Sequence, residues 1–205
     1  MANDGVNGAI NTGRRRFLTA TTAVVGAVGV GFAAVPFITS WKPSARAQTA
    51  GAPVLVDIGK LDNEPGMRMI VQWRGKPVWI FKRTPEQLAA LPGLDVRLVD
   101  PKSDNADQTP DFAKNESRAI KADIAVIVGI CTHLGCSPGY YPEMQPQGFD
   151  SGWQGGFYCP CHQSRFDLAG RVFQGVPAPS NLAIPPYHFV DDSHVLIGVA
   201  PGGSA

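Results

Sequence analysis

Charge is scarce in this 205-residue chain: only 17% of it is Asp, Glu, Lys or Arg, as 18 basic and 17 acidic residues. Five of the basic residues (Arg14, Arg15, Arg16, Lys42 and Arg46) and one acid (Asp4) fall within the first 47 positions, which leaves 13 basic against 16 acidic in the rest. That remainder has no cationic excess from which to build a nucleic-acid surface, so no nucleic-acid partner is expected. No internal repeat is visible. With 44% hydrophobic residues the chain is too apolar for a disordered one and too short for two large domains, so one compact domain with an appendage is expected. Glycine (23) and proline (18) are abundant, which favours turns and short strands over a helical bundle.

One long stretch lacks charge altogether. From Phe17 to Ile38 run 22 uncharged, mostly apolar residues, enough as a helix to cross a hydrocarbon layer of about 30 Å. Before it stands Arg14-Arg15-Arg16-Phe17-Leu18, which resembles the twin-arginine export signal and places the positive charge on the cytoplasmic side. Residues 1–16 therefore read as a cytoplasmic twin-arginine segment and 17–38 as a single-pass anchor, with everything beyond Lys42 outside. Trp41 and Lys42 sit at headgroup level. Ala45-Arg46-Ala47 has the small-x-small pattern of a cleavage site, but the apolar run is longer than the roughly 7–15 residues of a cleaved signal. Residues 39–52 read as a flexible hinge linker, since from position 43 on they contain no apolar side chain larger than alanine.

Beyond it, residues 53–205 read as an all-β, antiparallel domain. Short runs rich in Val, Ile and aromatics recur between Gly, Pro and Asp breaks: 54–58, 69–73, 78–82, 124–130, 157–159, 171–173 and 195–199. One helix is expected over 84–91, with Thr84 as its cap and Pro85 in its first turn. Residues 100–116 are polar and read as an exposed loop. From about 131 to 180 the composition shifts to Cys, His, Gly and Pro, a segment with no hydrophobic core of its own.

All four cysteines lie in that segment, in Cys131-Thr132-His133-Leu134-Gly135-Cys136 and Cys159-Pro160-Cys161-His162-Gln163-Ser164. Cys-x-His and Cys-x-x-His, with 25 residues between His133 and Cys159, form a metal-ligand pattern. A zinc site of two Cys and two His leaves Cys136 and Cys161 unexplained. A pair of disulfides makes both histidines coincidental. A two-iron, two-sulfide cluster with mixed ligation uses the first Cys-x-His and Cys-x-x-His sets, and Cys136 and Cys161, at matching places in an oxidising compartment, then have a disulfide as their natural use.

The two motifs resemble the Rieske iron-sulfur signature, and the whole chain is similar to the Rieske subunits of bacterial ubiquinol-cytochrome c reductase (cytochrome bc1) complexes. That resemblance implies a β base domain with a cluster-binding subdomain over about 131–180, and one [2Fe-2S] cluster. It places Cys131 and Cys159 on one iron and His133 and His162 on the other, with Cys136 bonded to Cys161 and Ser164 donating to a bridging sulfide. Gly175-Val176-Pro177-Ala178-Pro179 is like the family's proline loop. Two ferric ions, two sulfides and two thiolates sum to a neutral oxidised cluster, whereas four thiolates would leave two negative charges, so the potential is raised.

The implied protein is the redox subunit of a respiratory enzyme complex in the bacterial inner membrane, with the Rieske domain periplasmic and cytochrome b and cytochrome c1 as partners in a dimeric complex. One electron from ubiquinol goes to the cluster with a proton to His162 or His133, and the tethered domain then carries the electron to a c-type cytochrome. The small Rieske subunit of a periplasmic oxidoreductase such as arsenite oxidase is the alternative. Leu134, large, apolar and next to a ligand His, is expected at the quinol pocket or over the cluster, with Gly135 and Pro177 beside it. Two positions depart from the commonest family pattern. Gln163 stands where glycine is usual, and Phe166 where some members carry a tyrosine that donates to the sulfur matching Cys131. His188 and His194 lie outside the motifs and read as ordinary base-domain residues.

Overall fold

Asn11 accepts a hydrogen bond from the Arg14 backbone N–H at 3.0 Å and so caps a 29-residue helix, α1 (Thr12–Ser40). The computed structural model describes residues 11–44, 51–62 and 66–203, and its chain divides into two units, Met1–Gln48 and Thr49–Ala205. Helix α1 is long and apolar enough to cross a membrane and buries none of its residues against protein. It starts five residues before the uncharged run and ends two after it, because the Asn11 cap sets its start, and Arg14–Arg16 therefore lie on its first turns. The hydroxyls of Thr19, Thr21 and Thr22 return to carbonyls one turn back, which satisfies them without water. Pro36 lies inside the helix, and Thr39 donates to the carbonyls of Val35 and Pro36 around it. Of the linker expected over 39–52, Thr39 and Ser40 belong to α1; positions 45–50, with the Ala45-Arg46-Ala47 pattern, lie outside the described residues.

Among its described residues the second unit contains nine short strands: β1 (Val54–Asp57), β2 (Arg68–Trp73), β3 (Lys76–Lys82), β4 (Ile124–Val128), β5 (Gly139–Tyr141), β6 (Gly156–Cys159), β7 (Ser164–Asp167), β8 (Tyr187–Phe189) and β9 (His194–Ile197). They pair antiparallel into three three-stranded sheets, ordered β1-β9-β8, β2-β3-β4 and β5-β6-β7. Strand β3 is the pivot. Val78, Trp79, Ile80 and Phe81 are all buried, so both its faces are covered. On one face Trp79 stacks on Phe157 of β6 at 4.6 Å, and Phe81 packs on Phe157 and on Tyr140 of β5. The opposite face carries Val78 and Ile80, which belong to the same continuous core as Val56, Tyr187, Val195 and Ile197. Helix α2 (Pro85–Ala90) has the full Thr84–Gln87 capping box and ends at Leu91, as its sequence implies.

Two expectations change and a third holds. Arg171–Phe173 forms no strand: Val172 and Phe173 make only single bridges, to Phe166 and Leu98, because Arg171 turns inward to pair with Asp167. The 100–116 loop is partly interior, with Ser103, Thr109 and Ala113 buried. Asn181 reaches the Asp100 carbonyl and Ser103 from one side, and Arg118 reaches Gln108 and Thr109 from the other. The 131–180 segment supplies Trp153, Phe157, Phe166, Leu168, Val172 and Phe173 to the interior, yet shares its cores: Trp153 and Phe173 pack with Leu94 and Leu98.

Candidate metal centre

Strand β4 leads through Gly129 and Ile130 into the first motif, and the β6–β7 hairpin carries the second. Each motif is a closed turn. In the first, Gly135 N–H donates to the Cys131 carbonyl at 3.0 Å and Cys131 N–H to the Cys136 carbonyl at 2.8 Å, with Gly135 at φ +83°. In the second, Gln163 N–H donates to the Cys159 carbonyl at 2.9 Å, which requires Gln163 to adopt φ +61°, the left-handed region that glycine occupies without cost. A non-glycine residue thus carries backbone strain at the position where the family usually has glycine.

Cys136 and Cys161 form a disulfide that ties the two turns together across 25 positions of sequence. Cys131 and Cys159 are free thiols, each only 2% exposed, so the two-disulfide reading fails. Burial pushes the Cys131 thiol up; the His133 backbone N–H and the Ser164 hydroxyl pull the other way, and the neighbouring Cys159 adds to the rise. A metal that binds there displaces that proton. The rings of His133 and His162 meet edge-on, with centroids 4.6 Å apart. The Nδ1 atom of His133 is buried without a hydrogen-bond partner, whereas the His162 side is exposed.

A third segment holds both turns. Thr132 Oγ1 donates to the Ser180 carbonyl at 2.6 Å, and Ala178 N–H donates to the Ser164 Oγ at 3.1 Å. Ser164 is fully buried. Pro177, from the same segment, lines a cleft of about 240 Å³ with Tyr158, His162, Gln163 and Arg165. Leu134 is 71% exposed although it is large and apolar, and Gly135 is exposed beside it. Thr132 and Trp79 drew no attention in the sequence; the only cue was that Thr132 stands between two motif residues. His188 and His194 are structural: His188 Nδ1 lies 3.1 Å from the Val199 carbonyl and His194 Nδ1 3.0 Å from Asp191.

Two buried thiols, two adjoining imidazoles and an inward Nδ1 without a partner form a mixed sulfur and nitrogen donor set that fits a [2Fe-2S] cluster held by two Cys and two His. The sulfurs of Cys136, Cys159 and Cys161 also converge, but two of them are spent in the disulfide.

Fold and donor set define a Rieske protein: residues 107–187 match the model of the Rieske [2Fe-2S] domain, and the chain carries one such cluster. Residues 7–44 match the model described as Ubiquitinol-cytochrome C reductase Fe-S subunit TAT signal. The chain is 57% identical over 195 residues to the ubiquinol-cytochrome c reductase iron-sulfur subunit of Allochromatium vinosum, covering 95% of this chain and 93% of that one. It is 43% identical to the subunit of the same name from Rhodospirillum rubrum (90% and 91% covered) and 42% identical to that from Blastochloris viridis (90% and 92%). The chain belongs to the family of ubiquinol-cytochrome c reductase iron-sulfur subunits. With its apolar amino-terminal helix it is a membrane-anchored protein, and these relatives do not favour the arsenite oxidase alternative.

Proposed function

We propose that this chain is the redox subunit that takes one electron and one proton from ubiquinol and passes the electron to a c-type cytochrome, working with cytochrome b and cytochrome c1 in a dimeric complex of the bacterial inner membrane. The observation that carries it is the exposed imidazole of His162, set against two buried thiols. Cys131, Cys159, His133 and His162 would hold the cluster, the thiolates on one iron and the imidazoles on the other. Bound there, the cluster supplies a one-electron acceptor whose mixed ligation keeps it near neutral and raises its potential.

The protein's own groups do the rest. With Nδ1 of His133 buried, that imidazole keeps Nε2 for proton exchange. His162, the more exposed of the two, accepts the hydrogen bond of the quinol hydroxyl at Nε2 and holds the proton there. Leu134 and Pro177, both exposed at the same tip, exclude water from that contact. Ser164, fixed by Ala178 N–H, keeps its own hydroxyl proton free to donate toward the cluster sulfurs. The export signal sets the amino terminus in the cytoplasm and the domain in the periplasm, and the linker around residues 39–52 lets the domain travel between its quinol and cytochrome positions.

The test is low-temperature EPR on ascorbate-reduced membranes containing the protein, with and without an inhibitor of the quinol-oxidation site. A Rieske-type signal whose shape responds to the inhibitor is expected. A signal indifferent to it would point instead to a periplasmic oxidoreductase.

A further inference from the structure

The sulfurs of Cys136, Cys159 and Cys161 all lie within 4.8 Å of one another. Cys136 and Cys161 are bonded to each other, and Cys159 is a free thiol. A thiol so close to both sulfurs of a disulfide is placed to attack it, once deprotonated, without leaving its site. We infer that in the cluster-free chain Cys159 exchanges into this disulfide, so that the cluster must occupy Cys159 before the Cys136–Cys161 bond closes.

The chemistry balances without an outside oxidant. A bond forms between the sulfurs of Cys159 and Cys136, the bond between Cys136 and Cys161 breaks, and the proton leaves Cys159 for Cys161. Attack on Cys136 is favoured over attack on Cys161, because joining Cys159 to Cys161 closes a small ring across Pro160 alone. The Cys136–Cys159 product still ties the two turns together and encloses nearly the same length of chain as the native bond, so its loop-closure contribution is nearly unchanged. It also frees Cys161, an exposed residue, in place of a buried one. Nothing in that balance holds the native pairing. What holds it is iron on Cys159.

The product has lost a ligand and cannot take up a cluster. Cluster insertion in the reducing cytoplasm, before the disulfide exists, avoids this dead end and gives the chain its own reason to cross the membrane folded and loaded. The inference rests on Cys159 being a cluster ligand, as proposed above.

The test uses the full-length protein in detergent, either loaded or stripped of iron by a chelator under argon with no thiol reductant. Free thiols are blocked with N-ethylmaleimide, the disulfide is then reduced and labelled with iodoacetamide, and both labels are placed by mass spectrometry. In the stripped protein, maleimide is expected on Cys131 and Cys161. Maleimide on Cys131 and Cys159, with Cys161 labelled only after reduction, overturns the proposal. In the loaded protein Cys159 is expected to be protected; if it is labelled, the ligand assignment itself fails, and the inference with it. Cys159→Ser should leave Cys161 unlabelled, and equal labelling there would show that exchange from Cys159 is not the cause. Reconstitution of the stripped protein with iron and sulfide should recover the visible absorption several-fold better after prior reduction, and equal recovery without it contradicts the inference.

Discussion

Trp79 stacks on Phe157 with ring centroids 4.6 Å apart and an interplanar angle of 21°, and the same indole lies against Gly129. Gly129 and Phe157 each stand two residues before a proposed ligand cysteine, Cys131 and Cys159, so one side chain on β3 gauges the spacing of the two motif turns. A Cβ on Gly129 would lie 2.1 Å from Trp79 Cε2, closer than any real contact, and the neighbour is a buried ring rather than a flexible chain end.

Gly129→Ala is therefore expected to displace Trp79 and to cost about 1–3 kcal/mol as overpacking. The cluster content per polypeptide, read from visible absorption, should fall as the turns separate. A variant with full cluster content and unchanged melting temperature would show that the indole moves aside freely.

The proposed ligand residues stand out in the sequence because metal ligation demands fixed residue types at short spacings, and Cys131, His133, Cys159 and His162 carry that pattern in two six-residue windows. Strands β2, β3 and β4 were legible because each is a run of β-branched and aromatic side chains. Strands β5, β7 and β8 were not. Gly139-Tyr140-Tyr141, Ser164-Arg165-Phe166-Asp167 and Tyr187-His188-Phe189 are too short to show an alternation, and they are extended only because a neighbouring strand pairs with them. The clasp of Thr132 and Ser164 on residues 178–180 was invisible for a related reason: a hydroxyl that meets a backbone group 14 or 48 positions away leaves no periodicity to read.

Asp167 and Arg171 are both fully buried and joined at 2.8 Å. Asp167 also accepts from the backbone N–H groups of Ala169 and Arg171, and Arg171 reaches Asp95 and the Leu91 carbonyl. Asp167→Asn removes the fully buried counter-charge of Arg171 and leaves it only the part-exposed Asp95, which costs about 3–5 kcal/mol. For a domain of about 150 residues that is a fall of roughly 10 °C or more in Tm. Calorimetry of the loaded protein checks it, and an unchanged Tm would mean that Asp95 and the carbonyls suffice for Arg171.

Burial pushes the phenols of Tyr140 and Tyr187 up to about 12. The ordinary tyrosine value is about 10, so between pH 10 and 12 the folded state holds protons that the unfolded chain has lost. Their contribution is complete below about pH 10 and is lost as the pH rises toward 12. The phenolate absorbance of the native protein should show Tyr140 and Tyr187 titrating late, with unfolding as they do. Tyr140 has a buried hydroxyl without a partner, so Tyr140→Phe should be neutral or stabilising at neutral pH and should flatten the alkaline loss. Tyr187 accepts from Ile120 N–H at 2.9 Å, so Tyr187→Phe should destabilise at every pH.

Phe166 is fully buried on β7, opposite Phe157, where it can give no hydrogen bond. By the family resemblance of the two motifs, a tyrosine at this position would donate its hydroxyl to the sulfur matching Cys131, which favours the more negative, reduced state. Phe166→Tyr is accordingly expected to raise the midpoint potential. A hydrogen bond worth about 1–1.5 kcal/mol corresponds, at about 59 mV per tenfold for one electron, to a rise of roughly 40–65 mV. A redox titration followed by EPR measures it, and the melting temperature guards against a misread result. If the added hydroxyl finds the sulfur, the potential rises with little loss of stability. If it finds no partner in that buried site, the protein is destabilised by about 1–3 kcal/mol and the potential stays where it was. The second outcome would show that β7 holds residue 166 too far from Cys131 for the exchange of phenylalanine and tyrosine to tune this centre.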